Sequence, residues 1–413
     1  MSSLSLGLPF ASPETVGMCS KRLSNIVPVM QRYVENESIC GAVTLVARHG
    51  KVVHLEANGY KEVAKQEVMT ADTIFRVASL TKPVVSLALM MLLEEGKIQL
   101  HDPVSKFIPA FSSMDIMVED GAGGYKNVPA KRKINVRHLL THTAGFVSDF
   151  RERLGGHINK VYQDIAKPNS KEGNIENFVD RLAQVPLAFE PGEEWEYSRS
   201  TCVVGRLVEI ISGMPLDEFL QKRIFSPLGM VDTHFFLPHE KLPRFSASYK
   251  PGKNKKIALA DSNTEDSFFA NQDSELFIGS GGLMSTVSDY FRFAEMLRKQ
   301  GLYFSPMDAK NPQRLVSRKT IEFMLQNHTG KKLNWITGPG HGFGLGFSIV
   351  ADPGAAHSFV SEGSYSWFGM YCTHWWNDPV EQLCGMVFTQ LHPFDHLNIR
   401  WDMQALATQA IID

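Results

Sequence analysis

Apolar positions recur along this chain in two rhythms, one near 3.6 residues and one near 2, and their order sets the expected architecture. Between Lys21 and Val34, the residues Leu23, Ile26, Val27, Met30 and Val34 fall near one helical face, with a kink expected at Pro28. Gly41 to Val53 reads as two strands joined by a hairpin turn at His49-Gly50-Lys51. Ile74-Phe75-Arg76 then leads into an apolar run, Pro83 to Leu93, with almost no polar face. Such a helix is expected to be buried on nearly all sides, and Gly96, after Glu94-Glu95, marks its stop.

The middle of the chain follows the helical rhythm. Residues 97–135 read as polar turns and short helices. Helices are expected at Val136 to Gly145, Ile175 to Val185, Cys202 to Ser212 (stopped by Gly213), Leu216 to Arg223 and Ser288 to Leu297. The polar, irregular stretch 146–175 is a candidate lid or a surface excursion. Residues 250–275, lysine-rich and then acidic, read as a crossing between lobes. From Gly342 the rhythm changes to strands at Phe343 to Val350, Ser366 to Trp376 and Leu383 to Gln390, before a closing helix at Trp401 to Ile412. Strands at both ends with helices between them predict an α+β protein. Residues 1–75 plus 275–413 would form the sheet domain, with a mostly helical lobe, 76–274, inserted into it.

Composition adds limits rather than a function. The chain has 413 residues, 43% hydrophobic and 21% charged, which is ordinary for a globular protein with a sizeable core. A net charge of −2 gives no electrostatic footprint for nucleic acid or an anionic membrane. The longest uncharged apolar stretch is too short to span a bilayer, and the first twenty residues lack the pattern of a signal peptide. Both absences favour the cytoplasm. Cys19, Cys40, Cys202, Cys372 and Cys384 are scattered and read as reduced, buried thiols.

The chemistry narrows by elimination. There is no Gly-x-Ser-x-Gly elbow, no phosphate loop and no dinucleotide fingerprint. The glycine cluster in Glu119 to Gly124 follows acidic residues and reads as a surface loop. His138 and His142 have zinc-compatible spacing, but no nearby Glu or Cys completes a site. Two structural histidines are expected, with neither metal nor cofactor. Ser79-Leu80-Thr81-Lys82 remains as the nucleophile candidate. A serine at a helix start meets free N–H groups and a partial positive charge. Lys82, three residues on, shares its helix face, and a desolvated ammonium can shed its proton and act as a base. Taken alone, the tetrad also fits a capping serine beside a solvated lysine. A serine–lysine site further needs a proton relay to the leaving group and two N–H groups for the oxyanion. Tyr197, on a turn before a helix, suits the relay, although a half-buried structural aromatic is the plainer reading.

In order along the chain, the segments resemble those of serine β-lactamase-like esterases, relatives of class C β-lactamases and penicillin-binding proteins. Ser79-Leu80-Thr81-Lys82 matches the first motif of that family, and Leu139 to Gly145 resembles its structural signature. Tyr197-Ser198 matches the start of its second motif. Cys202 to Pro215 and Ile224 to Met230 continue the match. Trp367-Phe368-Gly369, followed by Asn377-Asp378-Pro379, resembles the esterases' Trp-Gly-Gly. The resemblance implies an antiparallel sheet flanked by helices and an acyl-enzyme on Ser79. It also implies Lys82 and Tyr197 as proton-transfer groups and an oxyanion hole formed by the N–H groups of Ser79 and Met370. Trp367, Phe368, Gly369 and Arg199 would lie beside the substrate.

Two departures bear on specificity. Arg199 replaces the lactamases' Asn, and Trp367-Phe368-Gly369 replaces their Lys-Thr-Gly. The lost amide and ammonium are the groups that grip a β-lactam, so neutral acyl esters fit better than penicillins. Phe368, in place of a glycine, adds bulk beside the cleft. The resulting expectation is a serine hydrolase acting on carboxylic esters, with a small-molecule ester or acyl donor as its partner. Acyl transfer to an alcohol is one alternative, and a non-catalytic binding or assembly role is another.

Overall fold

The computed structural model describes residues 6–148, 151–166, 173–253, 256–305, 308–332 and 334–413. Its sheet is seeded by one hairpin. Strand β1 (Gly41–Arg48) is buried along its whole length, and β2 (Lys51–Glu62) returns beside it. The turn between them places His49 at φ 52° and Gly50 at φ 74°. Positive φ at both central residues is the type I′ geometry that follows the right-handed twist of paired strands.

Short β3 (Glu67–Val68) follows, and the other strands come from the far end of the chain. They are β4 (His341–Phe343), β5 (Ser348–Val350), β6 (Tyr365–Gly369), β7 (Thr373–Asp378) and β8 (Leu383–Phe388). Together they form one eight-stranded sheet in the order β4-β5-β6-β7-β8-β1-β2-β3. Every neighbouring pair in it is antiparallel, the α+β arrangement expected.

Two expected strands are hairpins instead. Phe343 to Val350 divides into the end of β4 and β5, which pair with each other across a turn where Gly346 has φ 110°. Ser366 to Trp376 divides into β6 and β7, reversing at Met370-Tyr371-Cys372, with Cys372 at φ 63°. That turn contains no glycine, proline or asparagine, so the alternating pattern ran through the reversal unbroken. The reversal places Trp367 opposite Trp375 and Phe368 opposite His374. Tyr365 and Trp367 therefore share one sheet face, and Ser366 and Phe368 share the other.

The helix expected over Lys21 to Val34 is interrupted at Ser24-Asn25, giving Ser20–Leu23 and α1 (Ile26–Glu35), and Pro28 falls in the first turn of α1, where a missing N–H costs little. Helix α2 (Thr81–Glu94) is buried from Thr81 through Leu92, and Gly96 ends it at φ 71°. Helix α3 (Ser200–Ser212) packs on α2. The sheet is flanked on both faces. Helix α4 (Val287–Arg298) lies on the Trp375 face, where Asn377 Nδ2 donates to Ala294 O at 2.8 Å. Helix α5 (Ile399–Thr408) lies on the Phe368 face.

Three loop expectations change. Residues 97–135 include a hairpin, Asp115–Glu119 with Tyr125–Pro129, whose tip is the expected surface loop. Of the stretch 146–175, residues 149–150 and 167–172 lie outside the described residues, but His157–Ala166 is a helix. Residues 250–275 begin in a second hairpin, Ser248–Pro251 with Ile257–Asp261, rather than in a bare linker. All five cysteines are free, four of them buried and Cys19 half-buried. No described helix is long and apolar enough to cross a membrane.

Candidate active site

Ser79 sits on a tight turn, Ala78–Leu80, that runs straight into α2. Ala78 has φ 46°, a left-handed conformation rare for a residue with a Cβ. Such strain costs about 1–3 kcal/mol and persists only where the surroundings impose it. Here they do. Val77 N–H donates to Leu283 O at 3.1 Å, and Thr373 Oγ1 on β7 donates to Val77 O at 3.2 Å. Thr81 Oγ1 donates to Ala78 O at 2.6 Å and accepts from Leu283 N–H at 3.0 Å. The end of β6 closes on the same turn. A Cβ on Gly369 would overlap Val77 O and Thr373 Oγ1, so only glycine permits this approach.

Lys82 lies one turn along α2 and is buried. Its Nζ is 3.2 Å from Ser79 Oγ and donates to Ser280 O at 2.6 Å. Burial holds its pKa below the ordinary lysine value; Tyr197 opposes that shift and Arg199 adds to it. Ser280 belongs to the turn Gly279-Ser280-Gly281-Gly282, and Gly279 packs so close to Thr201 O of α3 that a Cβ would stand 2.7 Å from it.

Tyr197 precedes α3. Its Oη donates to Ser79 Oγ at 2.6 Å, and its ring centroid is 4.5 Å from Lys82 Nζ. Trp367 (5.4 Å between ring centroids) and His142 (5.0 Å) pack against the same ring. The hydroxyl, amine and phenol singled out in the sequence therefore meet at one point.

The two histidines serve separate structural purposes. The short helix Val136–Leu140 ends before His142, which has φ 55°. His142 is buried, and its Nδ1 accepts from Ser198 N–H at 3.3 Å. Burial, with the Lys82 charge as a smaller influence, holds its pKa well below the usual histidine value, so the ring is neutral. His138 completes a capping box with Asn135, accepting from Asn135 N–H at 3.3 Å. Among the described residues no group of three His, Cys, Asp or Glu side chains is placed to hold a metal.

A cavity of about 350 Å³ opens over Ser79, walled by Tyr197, Trp335, Trp367, Phe368 and Met370. Phe394 and Arg400 close its far side. Among the described residues, neither Ser79 N–H nor Met370 N–H donates a hydrogen bond. Arg199 is not on this wall; it stands at the start of α3 and acts on Lys82 through its charge. Gly369 is the spacer behind the wall. A larger open groove of about 1050 Å³, between the end of α3 and Phe235-Phe236, contains none of Ser79, Lys82 or Tyr197.

Sequence reasoning missed Trp335, Phe394 and Arg400, which belong to no motif and reach the cavity only through the fold. It also missed Glu196, which is 1% exposed. Arg151 Nη1 lies 3.5 Å and Arg153 Nη1 3.8 Å from its carboxylate. Burial raises the Glu196 pKa to about 7 against the pull of those two arginines.

A serine on a strained turn, met by a lysine from the helix that follows and a tyrosine from a distant segment, beside an antiparallel sheet, defines a β-lactamase-type serine fold. The chain belongs to the Beta-lactamase family, whose family model matches residues 27–409. Esterase EstB of Burkholderia gladioli is 27% identical over 376 residues, covering 87% of this chain and 88% of that protein. ML-236A carboxylate methylbutanoyltransferase mlcH of Penicillium citrinum is 28% identical over 416 residues, covering 94% and 93%. The structure described as EstCE1, a hydrolase with promiscuous acyltransferase activity, matches with a TM-score of 0.77 at 26% identity, covering 95% of this chain and 99% of that one.

Proposed function

We propose that this chain is a serine enzyme that cleaves carboxylic esters through an acyl-enzyme on Ser79. One observation carries the reading: Tyr197 Oη (2.6 Å) and Lys82 Nζ (3.2 Å) both reach the same hydroxyl at the floor of a cavity. In this mechanism the neutral form of Lys82, which desolvation favours, takes the Ser79 proton, with Tyr197 Oη as the relay, as Oγ attacks the ester carbonyl. The unpaired N–H groups of Ser79 and Met370 hold the developing oxyanion. Tyr197 returns the proton to the leaving alcohol as the C–O bond breaks. Water then adds to the acyl-enzyme, the same groups accept its proton, and the acid leaves while Ser79 regains its hydrogen.

An alcohol could replace water in the second half, giving an acyltransferase with identical residues. The aromatic wall of Trp335, Trp367, Phe368 and Phe394 favours this second reading, because an apolar cavity disfavours bulk water around the acyl group. The names of EstB, mlcH and EstCE1 support esters and acyl groups as the substrate class. The intact Ser79–Lys82–Tyr197 set speaks against a silent binding role. In this reading the site lies where a sheet part, residues 1–75 plus 275–413, meets a helical part, 76–274, of a cytoplasmic enzyme.

The test is hydrolysis of p-nitrophenyl butyrate, with and without added alcohols, beside a chromogenic cephalosporin. Ester turnover with little cephalosporin cleavage is expected, and ester products formed in alcohol favour the transferase form. Failure of a fluorophosphonate to label Ser79 would overturn the reading.

A further inference from the structure

Tyr197 turns its phenol to Ser79, while its chain neighbour Glu196 sends its carboxylate into a separate, buried cluster. The Glu196 backbone is fixed, its N–H donating to His142 O at 2.9 Å. Two arginines of one segment approach the carboxylate, Arg151 Nη1 at 3.5 Å and Arg153 Nη1 at 3.8 Å. Both separations exceed a normal N–H···O bond, and Arg153 Nη1 lies nearer to Glu194, at 2.9 Å. Among the described residues, neither oxygen of the Glu196 carboxylate accepts a hydrogen bond.

Trp335 completes the cluster. Its indole acts on the Glu196 carboxylate, and Arg151 lies over the same ring, 5.7 Å from guanidinium carbon to centroid. Trp195 meets that ring edge-on at 6.2 Å between centroids. Trp335 Nε1 is buried and, among the described residues, also lacks a hydrogen-bond partner. Buried polar groups are nearly always paired, so an acceptor and a donor left open side by side mark a contact that can tighten.

The cluster borders the chemistry on one side and a loop on the other. Trp335 and Ile336 wall the cavity over Ser79, whereas Glu196 is not on that wall. Arg151 and Arg153 belong to the stretch read from the sequence as a candidate lid. Asn159 ties them to the helix His157–Ala166, accepting from Arg153 N–H and donating to Arg151 O, both at 2.9 Å. Burial lifts the Glu196 pKa to about 7; Arg151, Arg153 and Trp335 pull it down and Glu194 adds to the rise. An ionised carboxylate attracts both arginines and the indole N–H, and a neutral carboxyl attracts them far less.

We propose that Glu196 is a positioning residue for substrate selectivity: its carboxylate ties Trp335 of the cavity wall and the 151–153 segment to the Tyr197 segment, and so sets the fit of long acyl groups. This rests on the ester reading at Ser79. Glu196 acts through Trp335 and takes no part in proton transfer to or from Ser79.

The test is the ratio of kcat/KM for p-nitrophenyl octanoate to that for p-nitrophenyl acetate. Lys82 serves both esters alike, so its own titration cancels in the ratio. In the wild type the ratio should rise about threefold or more from about pH 6 to about pH 8, through KM for the octanoate. Glu196→Gln should hold it at the low-pH value, and Glu196→Asp should restore part of the rise. Trp335→Phe keeps the bulk and removes the N–H, so adding Glu196→Gln to it should change the ratio little further. A readout free of turnover comes from the tryptophan emission that Trp335→Phe removes. It should titrate near pH 7 in the wild type and stay flat in Glu196→Gln. Esters cleaved with a ratio indifferent to pH and to Glu196→Gln, or effects of Glu196→Gln and Trp335→Phe that simply add, would overturn the tie and leave the ester reading standing. Emission that titrates through Glu196 with no ester cleaved would do the reverse.

Discussion

Tyr197 Oη lies 2.6 Å from Ser79 Oγ across 118 residues of chain, and both groups stand at the head of a buried helix. The packing of α2 on α3 sets this distance, and Trp367 and His142 hold the phenol ring in place. Lys82 lies against the face of the same ring, so proton donor and acceptor sites surround one oxygen.

Tyr197→Phe keeps the ring and removes only the oxygen. The packing with Trp367 and His142 survives, so the melting temperature should move little. Steady-state turnover of p-nitrophenyl butyrate should fall by about 10²–10⁴ in kcat, the range for loss of a positioned proton-transfer group, with KM nearly unchanged. A variant that kept most of its kcat would remove the phenol from the relay.

Lys82 gives the pH dependence its sign. The mechanism needs the neutral amine, so kcat/KM should rise with pH through a pKa below the ordinary lysine value. Between that depressed value and the ordinary one, the unfolded chain binds more protons than the folded protein. Stability should therefore also rise with pH in that window. Lys82→Met should abolish turnover and flatten the stability rise, which thermal melts across alkaline buffers can read.

Gly369→Ala tests the approach of β6 to the nucleophile turn. The added Cβ overlaps backbone Val77 O, which cannot rotate away. Relief requires moving Met370 or the strained Ala78 turn, so the expected result is a loss of about 10²-fold or more in kcat. Fluorophosphonate labelling of Ser79 should slow in parallel.

Glu196 predicts an opposite pH trend. With its pKa raised to about 7, the folded protein binds a proton there that the unfolded chain has already lost. Stability should fall as pH rises from the ordinary glutamate range to about 7, by on the order of 3 kcal/mol at most. Denaturant melts of Glu196→Gln should lack that fall.

The parts of the fold read correctly from the chain are those where one pattern has one outcome. The unbroken apolar run of α2 has to be buried, and the Gly96 and Gly213 stops hold because helix ends are local events. The β6–β7 reversal was hidden because Met370-Tyr371-Cys372 carries no turn residue, although Cys372 lies in the left-handed region. In His157–Ala166, the helical spacing of Ile158, Val161, Tyr162 and Ile165 was present but masked by its polar surroundings. At the site, Ser79 and Lys82 were legible because they are helix neighbours, and Tyr197 through the family resemblance. Arg400, Trp335 and Phe394 reach the cavity only through the path of the chain, which no local spacing encodes. Arg199 looked like a substrate contact because of its motif position, yet it is off the cavity wall.

The covalent intermediate is the central claim, and mass spectrometry of protein quenched with acid during turnover of p-nitrophenyl hexanoate tests it most directly. The account predicts wild-type protein heavier by one hexanoyl group, with the adduct on the peptide containing Ser79 and absent from a folded Ser79→Ala variant. Ester turnover at a wild-type rate in Ser79→Ala, or an adduct mapped to another residue, would contradict it.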